Sequence, residues 1–180
     1  MRNHIFITFD SLRYDVFKRA NAPFLKSLGV WKKAFTPASY TFPAHMSFFA
    51  GKIPQTYDMT DYYDSVSVRL KKGKRVRQKQ LWRLSNPEAP RDAAFDFDGP
   101  NIIKGFESKG YLTLGTGAMN WFNPKLPAGR YLTESFKKFR FFSGPNASSH
   151  ESCEEQVDWV LSELEHSNEP VFLFMNLGET

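Results

Sequence analysis

Cysteine is almost missing from this sequence: Cys153 is the single copy in 180 residues. An internal disulfide is therefore excluded, and so is a metal centre built from several thiolates. Long apolar runs are missing as well. The first, His4 to Phe9, stops at Asp10 and is too short for the core of a signal peptide. Nowhere does the chain approach the roughly 18 consecutive apolar residues of a membrane span. No internal repeat or low-complexity tract is visible. These absences together lead to the expectation of a soluble, cytoplasmic protein.

What is present points to a globular fold. Hydrophobic residues make up 41% of the chain and aromatic residues 16%, which is enough to bury a core. Phenylalanine occurs 18 times, and strand-rich cores use such side chains well. The length fits one domain, residues 1–180, with an irregular insertion at about 57–100. The net charge is +5, much of it from Arg69 to Arg91, where Lys71, Lys72, Lys74, Arg75, Arg77, Lys79 and Arg83 cluster. A basic run can meet nucleic acid, an anionic membrane surface or an acidic substrate; a solvated loop or edge hairpin is the preferred reading.

Along the chain, strands and helices alternate. Ile5 to Phe9 is a β run, and Asp10-Ser11 after it is a helix-start signal for a stretch bearing Leu12, Val16 and Phe17. Pro23 opens a further helix, Phe24 to Leu28, closed by Gly29. Val30 to Thr36 reads as a second extended segment, and a helix with Pro43 in its first turn ends at Gly51. A helix from about Asn101 to Ser108 leads to a strand at Tyr111 to Gly115, whereas Asn120 to Asn146 reads as loop. Ser148 and Glu151 match a capping box before a helix whose stripe is Val157, Val160, Leu161 and Leu164. Val171 to Asn176 is a last buried strand. The alternation predicts an α/β fold, a mostly parallel sheet flanked by helices.

Asp10, Thr41 and His45 are the residues most able to carry chemistry. Asp10 follows the first strand, and ligands of open α/β sheets gather at the carboxyl ends of strands. A carboxylate there suits a hard or borderline metal ion, or else caps a helix. Thr41 lies at an expected helix N-terminus, where backbone N–H groups and the helix dipole favour an anion. Its hydroxyl can attack a phosphorus or sulfur centre once a metal or base lowers its pKa, or it can serve as an N-cap. His45, four residues on, can touch the same anion or be structural; Ser39 and Ser47 are weaker candidates.

The combination is more specific than its parts. Residues 5–15, Ile-Phe-Ile-Thr-Phe-Asp-Ser-Leu-Arg-Tyr-Asp, resemble the opening of the sulfatase-like branch of the alkaline phosphatase superfamily. Asn21 to Leu25 looks like the next helix start of that family, and Thr41-Phe42-Pro43-Ala44-His45-Met46-Ser47, with Gly51 and Pro54, looks like its nucleophile motif. Gly110 to Thr113 and Val171 to Asn176 resemble its later strands. The resemblance implies an alkaline phosphatase-like core. It implies that Asp10 is a metal ligand and that Thr41 is both nucleophile and metal ligand. His45 would be a catalytic or substrate-binding group near the nucleophile, and Arg13 and Asp15 structural partners. The implied cofactor is a divalent ion: zinc, manganese, magnesium or calcium.

Three departures shape the expected function. Threonine at position 41 cannot become formylglycine, because its Cβ carries a methyl group, and this turns the reading from sulfate toward phosphate esters. Ser11 stands where many sulfatases have a second aspartate. The family's later substrate-binding histidine and Asp-His metal pair have no counterpart before Gly178-Glu179-Thr180. The expectation is accordingly a core truncated at its C-terminus, a fragment or short relative with little activity alone. Three hypotheses stand side by side. The first is a metal-dependent hydrolase or transferase acting on a phosphate ester through Thr41. The second is a catalytically inactive anion- or partner-binding module of the same fold. The third, ranked last, makes Arg69 to Arg91 a nucleic-acid surface with Trp82 available to stack.

Overall fold

The computed structural model describes residues 2–38, 40–51, 66–70, 75–76, 93–97, 101–142 and 151–178. In chain order the elements are β1 (His4–Phe9), α1 (Tyr14–Arg19), α2 (Pro23–Ser27), α3 (Thr41–Ala50), β2 (Val66–Leu70), β3 (Arg75–Val76), β4 (Ala93–Phe97), α4 (Ile102–Glu107) and β5 (Leu112–Gly117). A 3-10 turn at Asn120–Phe122, α5 (Pro127–Thr133), β6 (Lys138–Phe141), α6 (Glu151–Glu165) and β7 (Val171–Leu177) complete them. The main sheet has the order β1-β7-β5-β6, and every neighbouring pair in it is parallel. Parallel strands require crossover connections, here made by α5 between the neighbours β5 and β6 and by α6, which leads from β6 past β5 to β7. The protein is an α/β fold with helices on a mostly parallel sheet, as the alternation predicts. Among the described residues, no helix is long and apolar enough to cross a membrane.

β5 and β7 are buried along their whole length, the condition that makes parallel strands read as continuous apolar runs. Their alternating side chains separate two cores. On one face Phe172 and Phe174 pack with Phe42, Met46 and Phe49 of α3 and with Ile103, Phe122 and Phe136. On the other, Leu112, Leu114, Leu173 and Met175 pack with Val160 of α6. β1 ends the sheet, and Ile5 and Ile7 on it remain exposed, at 67% and 40%.

Several expectations need correction. The inward side of α6 carries Ser152, Gln156 and Val160, while Val157 and Leu161 face out. The buried hydrogen bond from Thr116 Oγ1 to Gln156 Oε1, 2.6 Å long, sets that rotation. Val30 to Thr36 forms no strand; no described strand pairs with it, and Val30 and Phe35 are exposed. Asn120 to Asn146 is not simply a loop, because it holds the 3-10 turn, α5 and β6. Strand β6 is four residues long with alternating exposure, a weak pattern for an edge strand. The hairpin expected in the 57–100 insertion is a three-stranded antiparallel sheet, β3-β2-β4. Ser148 of the capping box, Trp82 and most of the basic run lie outside the described residues.

Candidate active site

Backbone geometry at the end of β1 decides what Asp10 can do. Its N–H donates to Leu177 O at 2.8 Å, carrying the β1–β7 ladder one residue past the strand. Ser11 then takes a φ of 62°, a left-handed conformation that side-chain-bearing residues adopt at a cost, and Leu12 N–H closes the turn on Phe9 O at 3.3 Å. Helix α1 begins only at Tyr14, with Arg13 as its N-cap residue and no side-chain capping bond. The helix-start reading of Asp10-Ser11 is thus replaced by a tight turn. The Asp10 carboxylate accepts from Ser11 Oγ at 3.2 Å through Oδ1, and from Thr41 Oγ1 at 3.2 Å through Oδ2.

Helix α3 brings Thr41 to that carboxylate. Phe42, Met46 and Phe49 are buried on the sheet, and the rings of Phe49 and Phe174 meet edge to face at 5.1 Å. Gly51 ends the helix in the left-handed region, φ 69°, with its N–H on Ser47 O at 2.8 Å, the expected glycine stop. At the other end Tyr40 is the N-cap residue, without a side-chain capping bond, and Thr41 is the first helical residue. Neither Asp10 nor Thr41 is therefore spent as a helix cap. Tyr40 leans on Trp121, and burial pushes its phenol up to about 12, so it keeps its proton at neutral pH.

His45 sits one turn further in. Its Nδ1 lies 2.7 Å from Thr41 O and its Nε2 lies 3.2 Å from Thr8 Oγ1. The rings of Phe48, Phe49, Phe122 and Phe174 enclose it, and it is 5% exposed. That burial lowers its pKa to about 4; the bond to Thr41 O and the charge of Asp10 work weakly in the other direction. The ring is neutral at pH 7. An anion contact from His45 would require it to give up one of these two bonds. Sequence reasoning missed Thr8, whose hydroxyl also accepts from Asn176 Nδ2 at 2.9 Å. The available signal was a polar residue inside each of two otherwise apolar strands.

Other candidates stay apart from this cluster. Arg13 and Asp15 form a two-bond pair with each other on the surface, at 3.0 and 3.1 Å. Ser47 Oγ donates to Pro43 O within α3, and His4 packs against Phe106 and Tyr111. Ser39 lies outside the described residues. Asp10 and Thr41 offer two oxygen donors of the kind that divalent ions take, toward the roughly four or more ligands such ions need. Among the described residues, no group of three or more His, Cys, Asp or Glu lies together. Compared with known proteins, the chain matches no family model, no curated protein and no solved structure.

Proposed function

We propose that the protein is a metal-dependent hydrolase or transferase that acts on a phosphate ester, in preference to a sulfate ester, through Thr41. The observation that carries this reading is the 3.2 Å bond from Thr41 Oγ1 to Asp10 Oδ2 at the carboxyl edge of a parallel sheet. It agrees with what the sequence's resemblance to the sulfatase-like branch implies. Thr41 Oγ attacks phosphorus, the Oγ–P bond forms and the bond from phosphorus to the ester alkoxide breaks. The hydroxyl proton leaves along the bond toward Asp10 and ends on the released alcohol. Water, or a second alcohol, then attacks phosphorus, breaking the Oγ–P bond and restoring the Thr41 hydroxyl. Asp10 and Thr41 would hold a divalent ion, which lowers the hydroxyl's pKa and offsets charge on the transferring group. The dipole of α3 acts in the same sense.

The test is an assay of the full-length protein on a generic phosphomonoester and a phosphodiester with zinc, manganese, magnesium or calcium, quenched in acid for mass spectrometry. Turnover with phosphate trapped on Thr41, and a fall of about 10³-fold or more in Thr41→Ala, is the expected result. Full turnover in Thr41→Ala would sink the assignment. No adduct and no turnover with any of these ions would favour a second reading, an anion-binding module that keeps the fold.

A further inference from the structure

The polar atoms around His45 admit few arrangements of their protons. A carbonyl oxygen only accepts, so His45 Nδ1, 2.7 Å from Thr41 O, is the protonated nitrogen. Four phenylalanine rings surround the imidazole, and a cation would be costly there, so the ring carries one proton. Nε2 is then an acceptor, and the Thr8 hydroxyl at 3.2 Å must donate to it. Thr8 has one proton to give. Its 3.4 Å approach to Met175 O competes for that proton and is the longer contact. The remaining neighbour must therefore donate to Thr8, which Asn176 Nδ2 does at 2.9 Å. Turning the amide round would set Oδ1 and Nε2, two acceptors, against a single hydroxyl proton.

We infer that Thr8 and Asn176 are positioning residues: Asn176 donates to Thr8, Thr8 donates to His45 Nε2, and His45 Nδ1–H holds the Thr41 carbonyl. The inference rests on the reading of Thr41 as nucleophile. Its functional content lies in what the chain of bonds connects. Asn176 is in β7, Thr8 is in β1 two residues before Asp10, and His45 and Thr41 are in α3. The bonds thus tie together the elements that carry Asp10 and Thr41, and they fix the first turn of α3, which has no side-chain cap. Asn176 is fully buried, and its Oδ1 has no hydrogen-bond partner among the described residues, a state that costs stability. Packing alone would be better served there by leucine. The amide's donor is what the arrangement uses.

Two measurements separate this inference from the nucleophile assignment. Nitrogen-15 NMR of the histidine-labelled protein near neutral pH reads the tautomer directly and needs no turnover. A proton on Nδ1 of His45 is expected; a neutral ring protonated on Nε2 would overturn the inference while leaving the role of Thr41 untouched. In the assay, Thr8→Val is expected to lower kcat per folded molecule roughly tenfold or more with KM unchanged, and Thr8→Ser to restore it. Equal kcat in wild type and folded Thr8→Val would overturn the positioning role. Should Thr8→Val fail to fold, Asn176→Leu keeps the packing and is expected to lower kcat in the same way. An inactive wild type with its His45 proton on Nδ1 would sink the nucleophile reading and leave the hydrogen-bond chain standing.

Discussion

The two faces of the parallel sheet are built by the same strands and made of different materials. Toward α6 the buried core is mainly aliphatic, Leu112, Leu114, Val160, Leu173 and Met175, beside a buried polar pair, Thr116 and Gln156. Toward α3 it is aromatic, and it encloses the polar side chains of Thr8, His45 and Asn176 near the carboxyl edge. Buried polar groups cost stability unless they are paired, and once paired they specify geometry more sharply than apolar packing does. The α6 face holds the sheet together and uses that one buried polar pair, Thr116 and Gln156, to orient its helix. The α3 face also has to keep a hydroxyl and a carboxylate 3.2 Å apart, and it uses directional bonds for that.

Mutating one large side chain from each core tests this division most strongly. Phe174 touches the rings of Phe6, His45, Phe49, Phe122 and Phe136. Phe174→Ala is expected to cost about 3–5 kcal/mol of stability and to lower kcat per folded molecule as well. Leu114→Ala on the other face is expected to cost about 2–5 kcal/mol and to leave kcat per folded molecule unchanged. Denaturant titration combined with activity per folded protein checks both, and equal kcat losses would erase the distinction.

A smaller effect separates the faces by pH. Burial lowers the pKa of His45 from 6.5 to about 4, so between those values the unfolded chain binds a proton that the folded chain does not. Stability from this source is fully present above pH 6.5 and is lost as pH falls toward 4. The loss amounts to about 3 kcal/mol. Urea midpoints at pH 7 and pH 4.5 should fall further for wild type than for His45→Gln; parallel falls would contradict the burial of the neutral ring. The smallest effect is expected outside both faces. Asp15→Asn breaks the exposed pair with Arg13, and a loss of at most about 1 kcal/mol, with unchanged kcat, is expected in the same assays.

Much of the frame is legible in the sequence because local rules and tertiary packing agree there. The apolar runs of β1 and β7, the glycine stop at Gly51 and the turn at Gly110 all follow from residue type. Asp10 and Thr41 were legible as candidates by position, each beside a capping alternative that only the actual helix starts remove. Where local rules and packing part, the reading fails. Val30 to Thr36 has strand-like residues and no strand to pair with among the described residues, and β6 has a partner in β5 and too short a pattern to announce itself. Val157 and Leu161 fit a helical stripe, yet α6 is turned by the bond between Thr116 and Gln156.

By itself, the sequence determined the alternation of strands and helices, hence an α/β fold, and placed an aspartate and a threonine at element ends. Periodicity and turn chemistry act within a few residues, so they can do this much. Only the tertiary structure decided the strand order, the bond between Thr41 and Asp10, and the joining of His45 to Thr8 and Asn176. Those contacts link residues 31, 37 and 168 positions apart, and no local rule reaches across such separations.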